Sequence, residues 1–102
     1  MRRGTTPTFD ITCDIDLTGY TIFVTIKQGS IQLDLTPTVE STETGCTLSV
    51  TLTQEQTLMF SDRPDAAMQI RAIDVSGLAI ASNIMAIDVT KILREGVISY
   101  GE

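Results

Sequence analysis

The sequence predicts an all-β protein, an antiparallel sandwich of about seven strands, on three observations. Apolar and polar residues alternate with a period of two through most of the chain, turn residues interrupt that alternation at short intervals, and Val, Ile and Thr are abundant. Branched side chains of that kind suit a pleated, half-buried surface.

Taken in order, Phe9, Ile11, Cys13, Ile15 and Leu17 alternate with Asp10, Thr12, Asp14 and Asp16, which predicts a first strand from Thr8 to Leu17 with one buried face. Thr18-Gly19 breaks it. Tyr20 to Lys27 resumes with Ile22, Val24 and Ile26 on one side and Phe23 on the other, apolar enough to be central. Gln28-Gly29-Ser30 turns the chain into Ile31, Leu33 and Leu35, the far arm of a hairpin that Pro37 ends. Thr38 to Thr44 is polar and predicts an exposed edge strand or an extended loop. Cys46, Leu48, Val50 and Leu52 restore the alternation.

The rule then changes. Thr53 followed by Gln56 has capping-box spacing and predicts a short helical crossing near 53–59, from one sheet to the other. Ser61 to Asp65 is a loop by composition. Met68, Ile70 and Ala72 alternate with Gln69 and Arg71, and Ser76-Gly77 makes a tight turn. Over 78–89 helix and strand templates compete, because Ile80, Ile84, Met85 and Ile87 fit both spacings and the alanines favour a helix. The hairpin chemistry of Asp74 to Gly77 favours the strand. Thr90 as a cap and Gly96 as a stop predict one helical turn near 91–95. About seven strands with such turns indicate an immunoglobulin-like sandwich rather than an α/β fold.

A chain of 102 residues supports one domain, here 1–90, with 91–102 as a C-terminal extension. The formal charge of −6 and the scattered cations argue against nucleic acid, whose phosphates demand a basic surface. No apolar run reaches the roughly 18 residues of a membrane helix, and none follows the charged start as a secretory signal requires. Cys13 and Cys46 sit in phase with apolar neighbours, as buried free thiols or as a disulfide between adjacent strands.

Catalytic chemistry is sparse. The absence of histidine removes the usual base for a serine or threonine nucleophile, and Lys27 and Lys91 stand in no recognisable motif. Asp10, Asp14 and Asp16 share a predicted strand face, but alternate residues lie roughly 7 Å apart, too far for neighbours to share an ion. These observations predict a non-enzymatic protein with no cofactor and no metal. The segment with partner-binding character is the C-terminal one: Ile92, Leu93, Val97, Ile98 and Tyr100 either pack back on the domain or dock on a neighbouring subunit. Thr53 and Gln56 have a structural role at the crossing.

Several stretches together resemble small immunoglobulin-like proteins of tailed phages and prophages, the nearest group being the N-terminal domain of phage baseplate upper proteins. They are Arg3-Gly4-Thr5-Thr6-Pro7-Thr8-Phe9, Asp16-Leu17-Thr18-Gly19-Tyr20 through Lys27, Leu52-Thr53-Gln54-Glu55-Gln56-Thr57-Leu58, and Met68-Gln69-Ile70-Arg71 through Ser76-Gly77 to Ala81-Ser82-Asn83. The resemblance implies a structural or assembly role in a virion, as a tail, baseplate, neck or head-decoration component. It also implies partners among other virion proteins or copies of itself, and residence in the host cytoplasm before assembly. The alternative expectation is a carbohydrate- or peptide-binding module at a bacterial surface.

Overall fold

The structure, a computed structural model, describes residues 1–101. Two antiparallel sheets face one another. The smaller has β1 (Thr8–Cys13), β5 (Cys46–Thr51) and β4 (Thr38–Ser41), in that order. The larger runs β3 (Ile31–Leu35), β2 (Thr21–Gln28) and β6 (Ala66–Ile73), with β7 (Ala79–Ala81) and β8 (Met85–Ile87) following one another along the outer edge of β6. The helix α1 (Gln54–Leu58) joins the two sheets.

The alternation in the sequence becomes the sandwich interior. Val24 and Ile26 on β2, Cys46, Leu48 and Val50 on β5, and Met68, Ile70 and Ala72 on β6 point inward, and Leu17, Leu52 and Phe60 close the layer. Each large aliphatic or aromatic residue so buried contributes roughly 1.5–3 kcal/mol. β2 is central, between β3 and β6, and β4 is an exposed edge strand that stops at Ser41. The one large buried amide, Gln28, is fully used. Its Nε2 donates to the carbonyls of Ser61 (2.7 Å) and Pro64 (2.6 Å), and its Oε1 accepts from the Ser61 N–H (2.9 Å), which fastens the 61–65 loop.

Three elements differ from expectation. The first strand stops at Cys13 instead of running to Leu17, because its partner β5 starts at Cys46, opposite Cys13, and leaves nothing to pair with beyond. The chain then turns on Asp16, whose carboxylate accepts from the Thr18 N–H (3.0 Å), the Thr18 hydroxyl (2.6 Å) and the Ser41 hydroxyl (3.0 Å). Residues 78–89 form two strands rather than one, raising the count to eight. No helical turn forms near 91–95: Arg2 Nη1 donates to the Lys91 carbonyl (2.9 Å) and Arg3 holds Glu95, so long-range partners take the groups a costly helix nucleus would need.

Candidate functional site

The break between β7 and β8 shapes the most prominent concavity. Arg71 faces Ala81 and Met68 faces Met85, so three residues, Ser82, Asn83 and Ile84, oppose only two, Gln69 and Ile70. One extra residue on one strand is a β-bulge. Ser82 holds it: its N–H donates to the Ile70 carbonyl (2.9 Å), its hydroxyl accepts from the Ile70 N–H (2.9 Å), and Gln69 Nε2 donates to its carbonyl (3.0 Å). The extra residue also reverses the strand's parity. Ile80 faces inward before the bulge, Met85 and Ile87 after it, and Ile84 is left exposed.

Here the outer edges of the two sheets, β1 and β7–β8, stand apart and leave an open cleft of about 570 Å³, within the size range of ligand sites, roughly 300–1,000 Å³. Its floor is apolar, with Ile11, Leu17, Ile70, Ala72, Ile80 and Met85, and Thr12, Asp14, Thr44 and Asn83 line its rim. Cys13 also lines it and lies directly opposite Cys46 across the β1–β5 ladder. Both thiols are free, Cys46 fully buried and Cys13 half-buried. Burial, then the neighbouring Cys46 and Asp14, push the Cys13 thiol up from its ordinary value. Gly45 lets the chain enter β5 this close to β1, since a Cβ there would collide with the backbone of Cys13 and Asp14.

The opposite end of the sandwich carries the predicted docking residues. Thr53 and Gln56 form the expected reciprocal capping box, the Gln56 N–H donating to the Thr53 hydroxyl (3.1 Å) and the Thr53 N–H to Gln56 Oε1 (2.9 Å). Thr57, completely buried, sets α1 against the N-terminal arm, its hydroxyl 3.0 Å from the Thr5 carbonyl. Arg2 and Thr90 form a parallel bridge, after which the C-terminal segment runs beside α1. Polar ties hold its backbone: Gln54 Nε2 donates to the Ile98 carbonyl (3.0 Å) and Gln54 Oε1 accepts from the Ile98 N–H (2.9 Å). Arg3 is the hub, its Nε donating to the Phe60 carbonyl (2.6 Å) and its Nη1 pairing with Glu95 (2.6 Å).

Of the five docking candidates only Ile92 is half-buried, against Gly4. Leu93 and Tyr100 are fully exposed, and Val97 and Ile98 keep 49% and 53% of their surface. The segment is therefore held by its polar atoms and by Ile92, while Leu93 and Tyr100 face outward and Val97 and Ile98 are about half covered. Outside the motifs that carry the resemblance, the sequence assigns no role to Gln54, Arg3 or Ser82. Ser82 interrupts the alternation of 78–89, a visible signal; the other two act across dozens of residues and leave none.

The carboxylates of the first predicted strand separate. Asp16 lies off the strand, Asp10 accepts from Ser49, and among the described residues no group of three or more acidic or cysteine side chains could hold a metal ion. No helix among them is long and apolar enough to cross a membrane. Comparison of the chain with protein families, curated proteins and solved structures finds no match.

Proposed function

We propose that the protein is a non-enzymatic assembly component of a phage or prophage virion, of tail, baseplate or neck type, that binds copies of itself or other virion proteins. One observation carries the assembly part of this reading. Most of the exposed large apolar residues gather at the two ends of the sandwich: Ile15, Ile73, Val75 and Leu78 at the cleft end, and Met59, Leu93, Val97, Ile98 and Tyr100 at the other. Phe23, Val39 and Ile84 are the exceptions, along the flanks. Apolar patches of this kind mark interaction sites. The virion context rests on the motif resemblance alone.

Light scattering over a concentration series tests self-assembly: a mass rising above the monomer is expected, and a monomeric mass throughout overturns binding between copies. Mass spectrometry of particles released from an induced lysogen carrying the gene tests the virion role, and absence from the particles overturns that. The cleft favours one alternative, a peptide-binding module at a bacterial surface. A clear hit on a peptide array, with no self-association, would select it.

A further inference from the structure

The cleft and the C-terminal segment are complementary. The cleft has an apolar floor between two sheet edges, and β1 has no strand on its outer side. An extended segment can add to such an edge while its alternate side chains fill the groove. In the C-terminal segment Leu93, Val97, Ile98 and Tyr100 keep apolar side chains exposed, and the Gln54 and Arg3 ties already order its backbone. Ordering before contact lowers the entropic cost of docking. Charge agrees as well. The cleft rim carries Asp14. In the C-terminal segment Glu95 is already paired with Arg3, leaving Lys91 and Arg94 exposed and, among the described residues, outside any ion pair.

The register of the strands places the two features at opposite ends. Cys13 and Cys46 lie at the cleft end of the β1–β5 pair, whereas Pro7 and Leu52, next to α1, lie at the other. In the larger sheet Thr21 pairs with Ile73 at the cleft end, and Gln28 meets Ser61 near α1. The six residues of β1 span roughly 20 Å, and the whole molecule is 47 Å along its longest axis. A C-terminal segment tied to α1 therefore sits a strand length away from its own cleft.

We propose that the 92–100 segment of one copy docks in the β1/β7–β8 cleft of the next, head to tail. The proposal rests on the assembly reading and names its partner as a second copy of this chain. Because each molecule offers one cleft and one segment at opposite ends, the contact is heterologous and builds rings or filaments. Ile98 and Tyr100 enter the cleft, beside Ile80 and Met85, with Arg94 near Asp14.

Two exposed substitutions test this without disturbing the core, Ile15→Arg at the cleft mouth and Tyr100→Arg on the segment. Each should weaken self-association about tenfold or more, as loss of an anchor does. An equimolar mixture should form a one-to-one complex, because one variant keeps an intact segment and the other an intact cleft. A second experiment uses Cys13 itself. In a Cys46→Ala background, Ile98→Cys treated with an added two-electron oxidant such as oxidised glutathione, which takes up the electrons and protons of the two thiols, should form a disulfide-linked ladder of dimers and larger species.

If the wild-type chain associates and neither arginine variant weakens it, docking in the cleft is overturned while the assembly reading stands. A disulfide confined to single molecules also overturns the proposal, since it places the segment in its own cleft. A wild-type chain that is monomeric throughout overturns the docking and the self-association it rests on.

Discussion

The two ends of the sandwich are held by different physics. At the cleft end the devices are mostly local or between neighbouring strands, namely the Asp16 turn, the Ser82 bulge and the close approach that Gly45 permits, with one longer reach from Ser41 to Asp16. At the opposite end polar ties reach far along the chain, from Arg3 to Phe60 and Glu95 and from Gln54 to Ile98. Backbone geometry thus shapes a concave surface at one end, while side-chain hydrogen bonds hold out a convex one at the other. The first should resist change until a residue no longer fits, and the second should loosen without collapse of the sheets.

The largest expected effect belongs to Gly45. Its added methyl would meet backbone atoms of Cys13 and Asp14, which cannot swing aside as a side chain can. Gly45→Ala should cost about 3 kcal/mol, the upper end for overpacking, read as a fall in the urea midpoint. A loss within a few tenths would mean the cleft end yields easily, and the contrast between the ends would fail. Next comes Ser82→Ala, which removes the hydroxyl that accepts from the Ile70 N–H. Leaving that half-buried donor without its partner should cost about 2 kcal/mol and speed hydrogen exchange at Ile70 while leaving 92–98 unchanged.

Arg3→Met makes the complementary break. It removes the donors to the Phe60 and Leu58 carbonyls and the pair with Glu95, whose own side chain is largely exposed. An exposed pair contributes little, so the global loss should be about 1 kcal/mol, mostly from the hydrogen bonds. The sharper readout is local. Exchange at Ile98 should rise while the β1–β5 amides keep their protection, and equal loosening at both ends would show that the ends are not independent.

The same contrast explains what the sequence discloses. Period-two alternation, the Thr53–Gln56 box and the Ser76-Gly77 turn are short-range signals, and each reappears in the structure. The alternation that predicts a strand from Thr8 continues through Ile15 and Leu17, four residues beyond the end of pairing at Cys13. Only the start of β5 reveals that limit. In 78–89 the competing spacings have a physical origin: a bulge moves the inward face from Ile80 to Met85, which resembles helical drift. The cap and stop of 91–95 are visible locally, but Arg2 and Arg3, whose contacts with Lys91 and Glu95 compete with a helical turn there, stand some 90 residues away. The apolar content of the C-terminal segment is legible, whereas which of its side chains face outward, the Gln54 tie and the cleft are not, since all three need three-dimensional register.

The smallest effect concerns acid, and it again separates the ends. Asp16 and Asp74 serve turns at the cleft end, and both are held below the ordinary carboxylate range. For Asp16 the Thr18 hydroxyl matters most, then the Thr18 N–H and the Ser41 hydroxyl. For Asp74 it is the Ser76 hydroxyl, followed by the Leu78 N–H. A carboxyl whose folded value lies below its unfolded one, about 3.9 for aspartate, contributes stability that is fully present above the unfolded value. That contribution is lost as pH falls through the folded one. Asp16 is exposed and Asp74 only partly covered, so the acid limb of the melting curve should be shallow. The Thr18 and Leu78 amide resonances should titrate with midpoints below that of an unperturbed aspartate, and the double variant Asp16→Asn/Asp74→Asn should flatten the limb. An acid limb identical in the variant would show that these turns owe their geometry to the backbone and not to the carboxylates.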